Sequence, residues 1–437
     1  MKMLHKHSTY FYSVLLLSVL SFASCKKDYS DPSRATEDKV LSSPGGLTGV
    51  AVGLQRTYSL GRASSLYNIV SINGLVTKEL VLLNPGNLPE YQLAQGGAQV
   101  DGTNTMLAGL WTSSNKIIYD ADNVISKAAG LADKNYASGL IGYASIFKAL
   151  SLGALSMFWE KIPEGIGQNV GFISRMEGYA KAIKVIDDAL AAINANPISA
   201  SFTSSIPAGI DIVNTLQALK ARYSLFSGNY TQALTAANAV DLTKKSVLNF
   251  EAANPNPIYD VAGSNFNVYQ PIGADMGLPT GLKPDAADMR VPFYMVPSGS
   301  PATPYAMKGF AAATTTPFPI YLPGEITLIK AEAYARMNPP DLTNALAELN
   351  KVVTKTPASD PFGVGANLPP LTGPYTQAEI LDLIYKFRSI ELYMSGLRIE
   401  DERRFNRPNA ERTRNFMPYP FRERDNNPSL NFPDPSF

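Results

Sequence analysis

Hydrophobic residues recur at the spacing of an α-helix over most of the chain from residue 44 onwards. Apolar positions three and four residues apart place their side chains on one face of a helix, which then packs against the core. The pattern predicts helices at about 45–61, 104–129, 136–159, 175–193, 211–227, 231–240, 325–337, 342–355 and 377–398. We therefore expect a mainly α-helical protein.

Capping signals support two of these boundaries. Thr376-Gln-Ala-Glu379 has the capping-box pattern that begins a helix. Asp341 follows two prolines and is a suitable N-cap for the next helix. We expect helices to begin directly after Thr376 and Asp341.

Two segments lack the helical period. Residues 62–103 and 244–324 are rich in Gly, Pro, Asn, Thr and Tyr, and their apolar positions alternate. We expect long loops with short strands there, and loops of this length are usually functional when they are ordered. The tail from Asn406 onwards is expected to cover the surface as irregular chain.

Two helix pairs resemble each other in sequence. Leu219-Lys220-Ala221 with Thr231-Gln-Ala-Leu234 matches Ile329-Lys330-Ala331 with Thr343-Asn-Ala-Leu346, and residues 143–192 give a weaker third copy. Small Ala residues at contact points let neighbouring helices approach closely, as in tetratricopeptide-like repeats. We predict a tetratricopeptide-like helix-pair scaffold with long inserted loops, forming a single domain over 44–437.

Charge excludes one class of function. The chain has 38 basic and 37 acidic residues among 437, a net charge of +1. Such a balance provides no overall field that would attract nucleic acid or an anionic membrane surface. We therefore expect no nucleic-acid binding.

The N-terminus has the features of a targeting signal. Lys2 and Lys6 precede an uncharged apolar stretch from Tyr10 to Phe22, which is too short to span a bilayer. Small residues then lead to Cys25. We interpret 1–24 as a lipoprotein signal peptide, Cys25 as an acylated residue that anchors the chain, and 25–43 as that residue with its polar tether. The alternative is an ordinary cleaved signal followed by a chance cysteine.

Cleavage before Cys25 would remove much of the usual catalytic chemistry. Both histidines, His5 and His7, lie in the leader, and Cys25 is the one cysteine. The mature chain would have no imidazole and no free thiol, which excludes Ser–His and Cys–His nucleophiles and the usual zinc sites. We expect no enzyme activity, no catalytic residue, no cofactor and no metal. A glycoside hydrolase that uses only carboxylates, or a helical-repeat adaptor that binds only protein, remains open.

Several short motifs are spread over nearly the whole chain. The first is Phe22-Ala-Ser-Cys25 at the end of the apolar stretch. The others are Trp111 with Ile118-Tyr119 and Asn123, Phe158-Trp159 through Pro163, Asp288-Met-Arg290, and Glu325 through Tyr334. Together these motifs resemble those of the SusD/RagB-like nutrient-binding outer-membrane lipoproteins, the first of them as a lipobox. The resemblance implies that Trp111, Trp159, Tyr119, Tyr143 and Tyr334 are structural, so we expect these rings in the core.

The most specific match is a C-terminal signature. It consists of Arg388, Glu391, Gly396, Arg398, Asp401 and Arg404, with Ser395 and Glu402 where the family usually has Glu and Leu. On a continuous helix these charged residues would form one seam along a face. We predict that the seam ties the tail to neighbouring helices through charge-assisted hydrogen bonds.

The resemblance implies capture rather than catalysis. Such proteins lie on the outer face of the outer membrane, bind an oligosaccharide or related polymer fragment, and work with a SusC-like TonB-dependent barrel transporter. Aromatic rings stack on the apolar faces of sugars. Our candidate ligand contacts are the tyrosines outside the helical period, namely Tyr67, Tyr91, Tyr269, Tyr294 and Tyr305.

Overall fold

A computed structural model describes residues 37–264, 268–300 and 303–436. The predicted signal peptide and Cys25 lie outside these described residues. Helices of all types hold 55% of these described residues and strands 7%, which confirms the mainly α-helical class. The helices are α1 Glu37–Val40, α2 Pro44–Ser59, α3 Ser65–Val76, α4 Leu88–Gln95, α5 Thr105–Ala128, α6 Lys134–Phe158, α7 Arg175–Ala195, α8 Ala200–Thr203, α9 Ile212–Phe226, α10 Tyr230–Asn238, α11 Arg290–Tyr294, α12 Pro323–Arg336, α13 Leu342–Val353, α14 Gln377–Glu391, α15 Arg398–Arg404 and α16 Phe421–Asn426.

The strands are short and pair as antiparallel two-stranded ribbons. The pairs are β1 (Leu80–Leu82) with β5 (Tyr269–Pro271), β2 (Lys161–Pro163) with β3 (Phe172–Ser174), β4 (Val247–Leu248) with β8 (Phe318–Pro319), and β6 (Met295–Ser300) with β7 (Thr303–Met307). Three of these pairs include strands from 244–324, so the prediction of short strands in an irregular segment is confirmed there.

The helix-pair repeat is present in the packing. Helix α9 packs against α10, α12 packs against α13, and α10 lies beside α12. The matching alanines, Ala221 with Ala331 and Ala233 with Ala345, are all fully buried. Both caps also form as expected, because the side chains of Thr376 and Asp341 accept bonds from backbone amides of the first turns of α14 and α13.

The expectation of long loops over 62–103 is wrong. This segment contains α3 and α4, and every residue of α3 is buried. A helix that is enclosed on all sides needs no polar face, so its sequence shows no amphipathic period. Helix α6 shows the same effect on a larger scale: its composition would suit a membrane span, yet 89% of its most apolar window is buried inside the protein.

The predicted helix 377–398 is also wrong at its C-terminal end. Helix α14 stops at Glu391, and the chain turns through Met394 (φ 58°) and Gly396 (φ 82°) before α15 begins at Arg398. A Cβ on residue 396 would lie 2.4 Å from Cγ2 of Ile69. The signature glycine is therefore required by both its backbone conformation and its close contact with α3.

Because of this turn, the signature charges do not form one seam. Arg388 makes a bidentate pair with Asp401, with both N–O distances 3.1 Å, and Asp401 also accepts from Arg404. Arg404 reaches Glu332 of α12. Burial opposes ionisation of Asp401, but the two guanidinium groups outweigh it and hold its pKa below the ordinary value.

The other signature charges bind different elements. Glu391 accepts from Arg290 at 3.1 Å and pairs with Lys355. Arg398 donates to the backbone oxygens of Met276 and Ser389 and lies 3.4 Å from Glu79. The predicted charge-assisted ties therefore form, but they radiate from the turn to several helices and loops.

Candidate functional site

Three of the five candidate tyrosines are enclosed in the core. Tyr67 and Tyr269 are fully buried and Tyr294 is 2% exposed. Their hydroxyls already bind the protein: Tyr67 donates to Glu90 at 3.1 Å, Tyr269 pairs with the hydroxyl of Ser71 at 2.6 Å, and Tyr294 donates to the backbone oxygen of Glu391. No ring face is left for a sugar, so these three predictions are corrected.

The reason for the error differs between the positions. Tyr67 lies on the buried helix α3, which the sequence pattern did not reveal. Tyr269 lies on strand β5 and Tyr294 ends the short helix α11, and both fall in the irregular segment that was expected to be exposed. An irregular backbone does not by itself place a side chain at the surface.

Tyr91 and Tyr305 are partly buried and remain candidates. Tyr91 lies on α4 rather than in a loop, and Tyr305 lies on β7 opposite Pro297. They are carried by different elements, so the structure does not gather the five tyrosines into one site.

An open groove of about 440 Å³ combines the features that a sugar requires. One wall is a face of α5, where residues three and four apart in sequence project together. The other wall is the turn after β2, and the tail contributes Glu423. The lining residues are Trp111, Thr112, Asn115, Lys116, Tyr119, Pro163, Gly165, Ile166, Gly167, Val170 and Glu423.

Two apolar side chains of this groove are exposed. Tyr119 is 44% exposed and Ile166, in the other wall, is 42% exposed. The hydroxyl of Thr112, the amide of Asn115 and the ammonium of Lys116 lie on the same helical face as Tyr119. The groove thus offers one aromatic ring for the apolar face of a pyranose and polar groups for its hydroxyls.

The floor of the groove is a packed aromatic cluster. The Trp111 ring lies 4.9 Å from the Trp159 ring, in an edge-on arrangement, and 5.9 Å from that of Tyr419. Trp111 Nε1 donates to Glu423 at 3.1 Å, and Trp159 Nε1 donates to the backbone oxygen of Pro418 at 2.9 Å. Both tryptophans are buried, so their structural role is confirmed, and Trp111 fixes the tail residue that closes one end of the groove.

The tail also holds the turn that forms the second wall. Asn427 donates to the backbone oxygen of Val170 and Ser429 donates to that of Asn169, both at 3.1 Å. The positions of Ile166 and its neighbours therefore depend on residues more than 250 positions away, which are also part of the structured tail.

The two charged side chains of the groove are held by other residues of the protein. Lys116 pairs with Asp120 at 2.7 Å, one turn along α5. The carboxylate of Glu423 accepts the bond from Trp111. Among the described residues there is also no group of three or more acidic, histidine or cysteine side chains that could hold a metal ion.

The prediction of a core position for Tyr119 is wrong, whereas Tyr143 is fully buried and Tyr334 is partly buried against the second hydrophobic cluster. A signal for Tyr119 was present in the sequence. It follows Thr112 by seven residues and Lys116 by three, which places it on the polar face of α5. An aromatic residue on the polar face of an amphipathic helix is a candidate contact.

No family model matches this chain. No curated protein matches it either. Solved structures do match, over most of the chain. A SusD superfamily protein from Bacteroides vulgatus gives a TM-score of 0.66 at 13% identity, covering 89% of this chain and 98% of the other.

Two further structures agree with this likeness. A SusD/RagB family protein from Bacteroides thetaiotaomicron gives a TM-score of 0.63 at 16% identity, covering 88% of this chain and 94% of the other. A SusD-like carbohydrate-binding protein from Bacteroides vulgatus gives 0.63 at 15% identity, covering 82% and 83%. The resemblance seen in the sequence motifs is thus confirmed in the fold, which is SusD-like.

Proposed function

We propose that this SusD-like chain is a surface lipoprotein that binds an oligosaccharide, or a related polymer fragment, in the groove between α5 and the turn after β2. It would be anchored to the outer membrane through Cys25 and would deliver its ligand to a SusC-like TonB-dependent barrel. It acts by binding, without a catalytic residue or a cofactor.

The exposed ring of Tyr119 is the observation that carries the proposal. A large aromatic side chain is usually buried, and an exposed one beside an amide, a hydroxyl and an ammonium group is typical of carbohydrate sites. The fold gives independent support, since one structure that the chain matches is that of a SusD-like carbohydrate-binding protein.

A hydrolase would need a second acid in this groove. Glycoside hydrolysis uses two carboxyl groups on either side of the scissile bond. Glu423 is the acidic residue among the groove-lining side chains, and it is held by Trp111. This composition favours binding over hydrolysis.

The direct test is binding of purified protein to a broad glycan array, followed by calorimetry with the best ligand. We expect Tyr119→Ala to lower the affinity for that ligand about tenfold or more, because stacking and burial of one ring contribute on the order of 1.4 kcal/mol. Met289→Ala removes another exposed apolar side chain, 43% exposed and outside the groove, and should leave affinity unchanged.

Other results would point elsewhere. If Tyr91→Ala or Tyr305→Ala abolishes binding while Tyr119→Ala has no effect, the site lies at those tyrosines. If the protein releases reducing sugar, the carboxylate hydrolase is correct. If the barrel co-purifies but no glycan binds, the chain is a protein-binding adaptor.

A further inference from the structure

A second cavity lies inside the protein, between the helical scaffold and the inserted segments. Its volume is about 60 Å³, and it shares no lining residue with the groove. Its lining includes residues of helices α2, α3, α6 and α9 and of the segments 318–322 and 392–397. Most of the lining is apolar.

Arg222 and Glu325 are the charged residues of the lining. The Nε and Nη2 of Arg222 donate to the two carboxylate oxygens of Glu325 at 2.6 and 2.7 Å, and Nη2 also donates to the backbone oxygen of Ile320. The Nη1 group takes no part in these bonds. Both charged side chains are buried. The two parallel hydrogen bonds between them fix the orientation of the guanidinium group.

Two phenols accompany the guanidinium group. Tyr58 is 7% exposed, and none of the hydrogen bonds described between residues of the structure involves its hydroxyl. The hydroxyl of Tyr223 lies against α6, where a Cβ on Gly153 would come within 2.2 Å of it. Burial raises the pKa of Tyr223 to about 12 and that of Tyr58 further, so both phenols stay protonated and can donate.

We propose that this cavity binds ordered water, held by the hydroxyl groups of Tyr58 and Tyr223 and by Nη1 of Arg222. A buried hydroxyl without a partner costs about 1–3 kcal/mol, and a water that accepts and donates removes this cost. A water needs about 10–15 Å³ of such space, so the cavity has room for a small cluster.

Ser395 also lines the cavity, and its buried hydroxyl has no protein partner among the described residues.

A crystal structure at about 1.5 Å resolution tests the proposal. We expect a water within about 3.2 Å of the Tyr58 hydroxyl oxygen. The absence of any water peak beside this hydroxyl would overturn the proposal.

Variants test it in solution, where magnetic relaxation dispersion counts long-lived internal waters. Tyr58→Phe keeps the ring and removes the hydroxyl, and we expect the count to fall by one or more. The matched control is Tyr321→Phe, in the same cavity lining, because the Tyr321 hydroxyl already accepts a bond from Asn214. Equal counts in wild type and Tyr58→Phe would contradict the proposal.

Discussion

At the scale of single residues, Glu402 is the least well paired acid of the C-terminal signature. Its side chain is buried, its Oε2 accepts no hydrogen bond, and the nearest cationic atom, on Arg412, is 3.8 Å away. Burial raises its pKa from near 4.5 to about 8, against the opposing charges of Arg398 and Arg412. Glu411 and Glu79 also face it and add to the rise.

This raised pKa predicts a pH-dependent stability. Between about pH 4.5 and pH 8 the folded state holds a proton on Glu402 that the unfolded state has lost, so this group's contribution to the free energy of unfolding falls as pH rises. In Glu402→Gln that dependence is absent. In urea unfolding from pH 5 to 8.5, the free energy of unfolding of the variant should rise relative to that of the wild type, by on the order of a few kcal/mol at the upper end.

The free energy of unfolding is measured against pH for the wild type and for Glu402→Gln. The difference between the two proteins removes the contributions of the other acids, which both share. A difference that is flat across this range would show that Glu402 is ionised in the folded protein throughout. The physical reason would then be a closer approach of Arg412 than 3.8 Å.

At the scale of elements, the turn between α14 and α15 decides where the signature charges point. Gly396 combines a positive φ of 82° with a contact that leaves no room for a Cβ beside Ile69. Ending α14 at Glu391 allows Arg388 and Asp401 to face each other from two helices. On a continuous helix these two residues would be separated by about 20 Å along the axis and could not pair.

We expect Gly396→Ala to destabilise the protein by about 2 kcal/mol or more. The left-handed backbone costs a non-glycine residue about 1–2 kcal/mol, and overpacking against Ile69 adds to this. Gly61→Ala is a matched control, because Gly61 has a similar φ of 78° and open space around it. Chemical denaturation should show a larger loss of stability for Gly396→Ala than for Gly61→Ala. Equal losses of stability would mean that Ile69 moves aside.

The prediction of elements succeeded for the long helices, including the largely buried α6, and failed for the shorter buried helix α3. Amphipathic α5 and α13 were placed within one or two residues of their ends. Buried α3 was missed, since its sequence resembles neither an amphipathic helix nor an alternating strand. The misplacement of Tyr67 as a loop residue follows directly from that omission.

At the scale of the whole molecule, the fold is retained at 13–16% identity to the structures that it matches. Small residues at helix contacts and buried ion pairs constrain few positions, so the other positions can change without loss of the fold. The groove at α5 is also a feature of the whole molecule, because its walls come from a helix, a turn and the distant tail.

At the same scale, attachment of the whole molecule to the membrane is predicted to depend on Cys25. We expect Cys25→Ala to release the protein from the outer-membrane fraction, since no other lipid attachment is proposed. Fractionation with metabolic labelling by a palmitate analogue would measure both location and acylation. Wild-type protein without an acyl group, or an alanine variant that stays in the membrane, would refute the lipoprotein interpretation.

By itself the sequence determined the helical class, the helix-pair repeat, the positions of most of the long helices and the resemblance to SusD-like proteins. Periodicity and local motifs carry that information, because they depend on neighbours a few residues apart. Only the tertiary structure decided that Tyr67 and Tyr269 are enclosed. Their burial depends on what packs over them, and those partners come from distant parts of the chain.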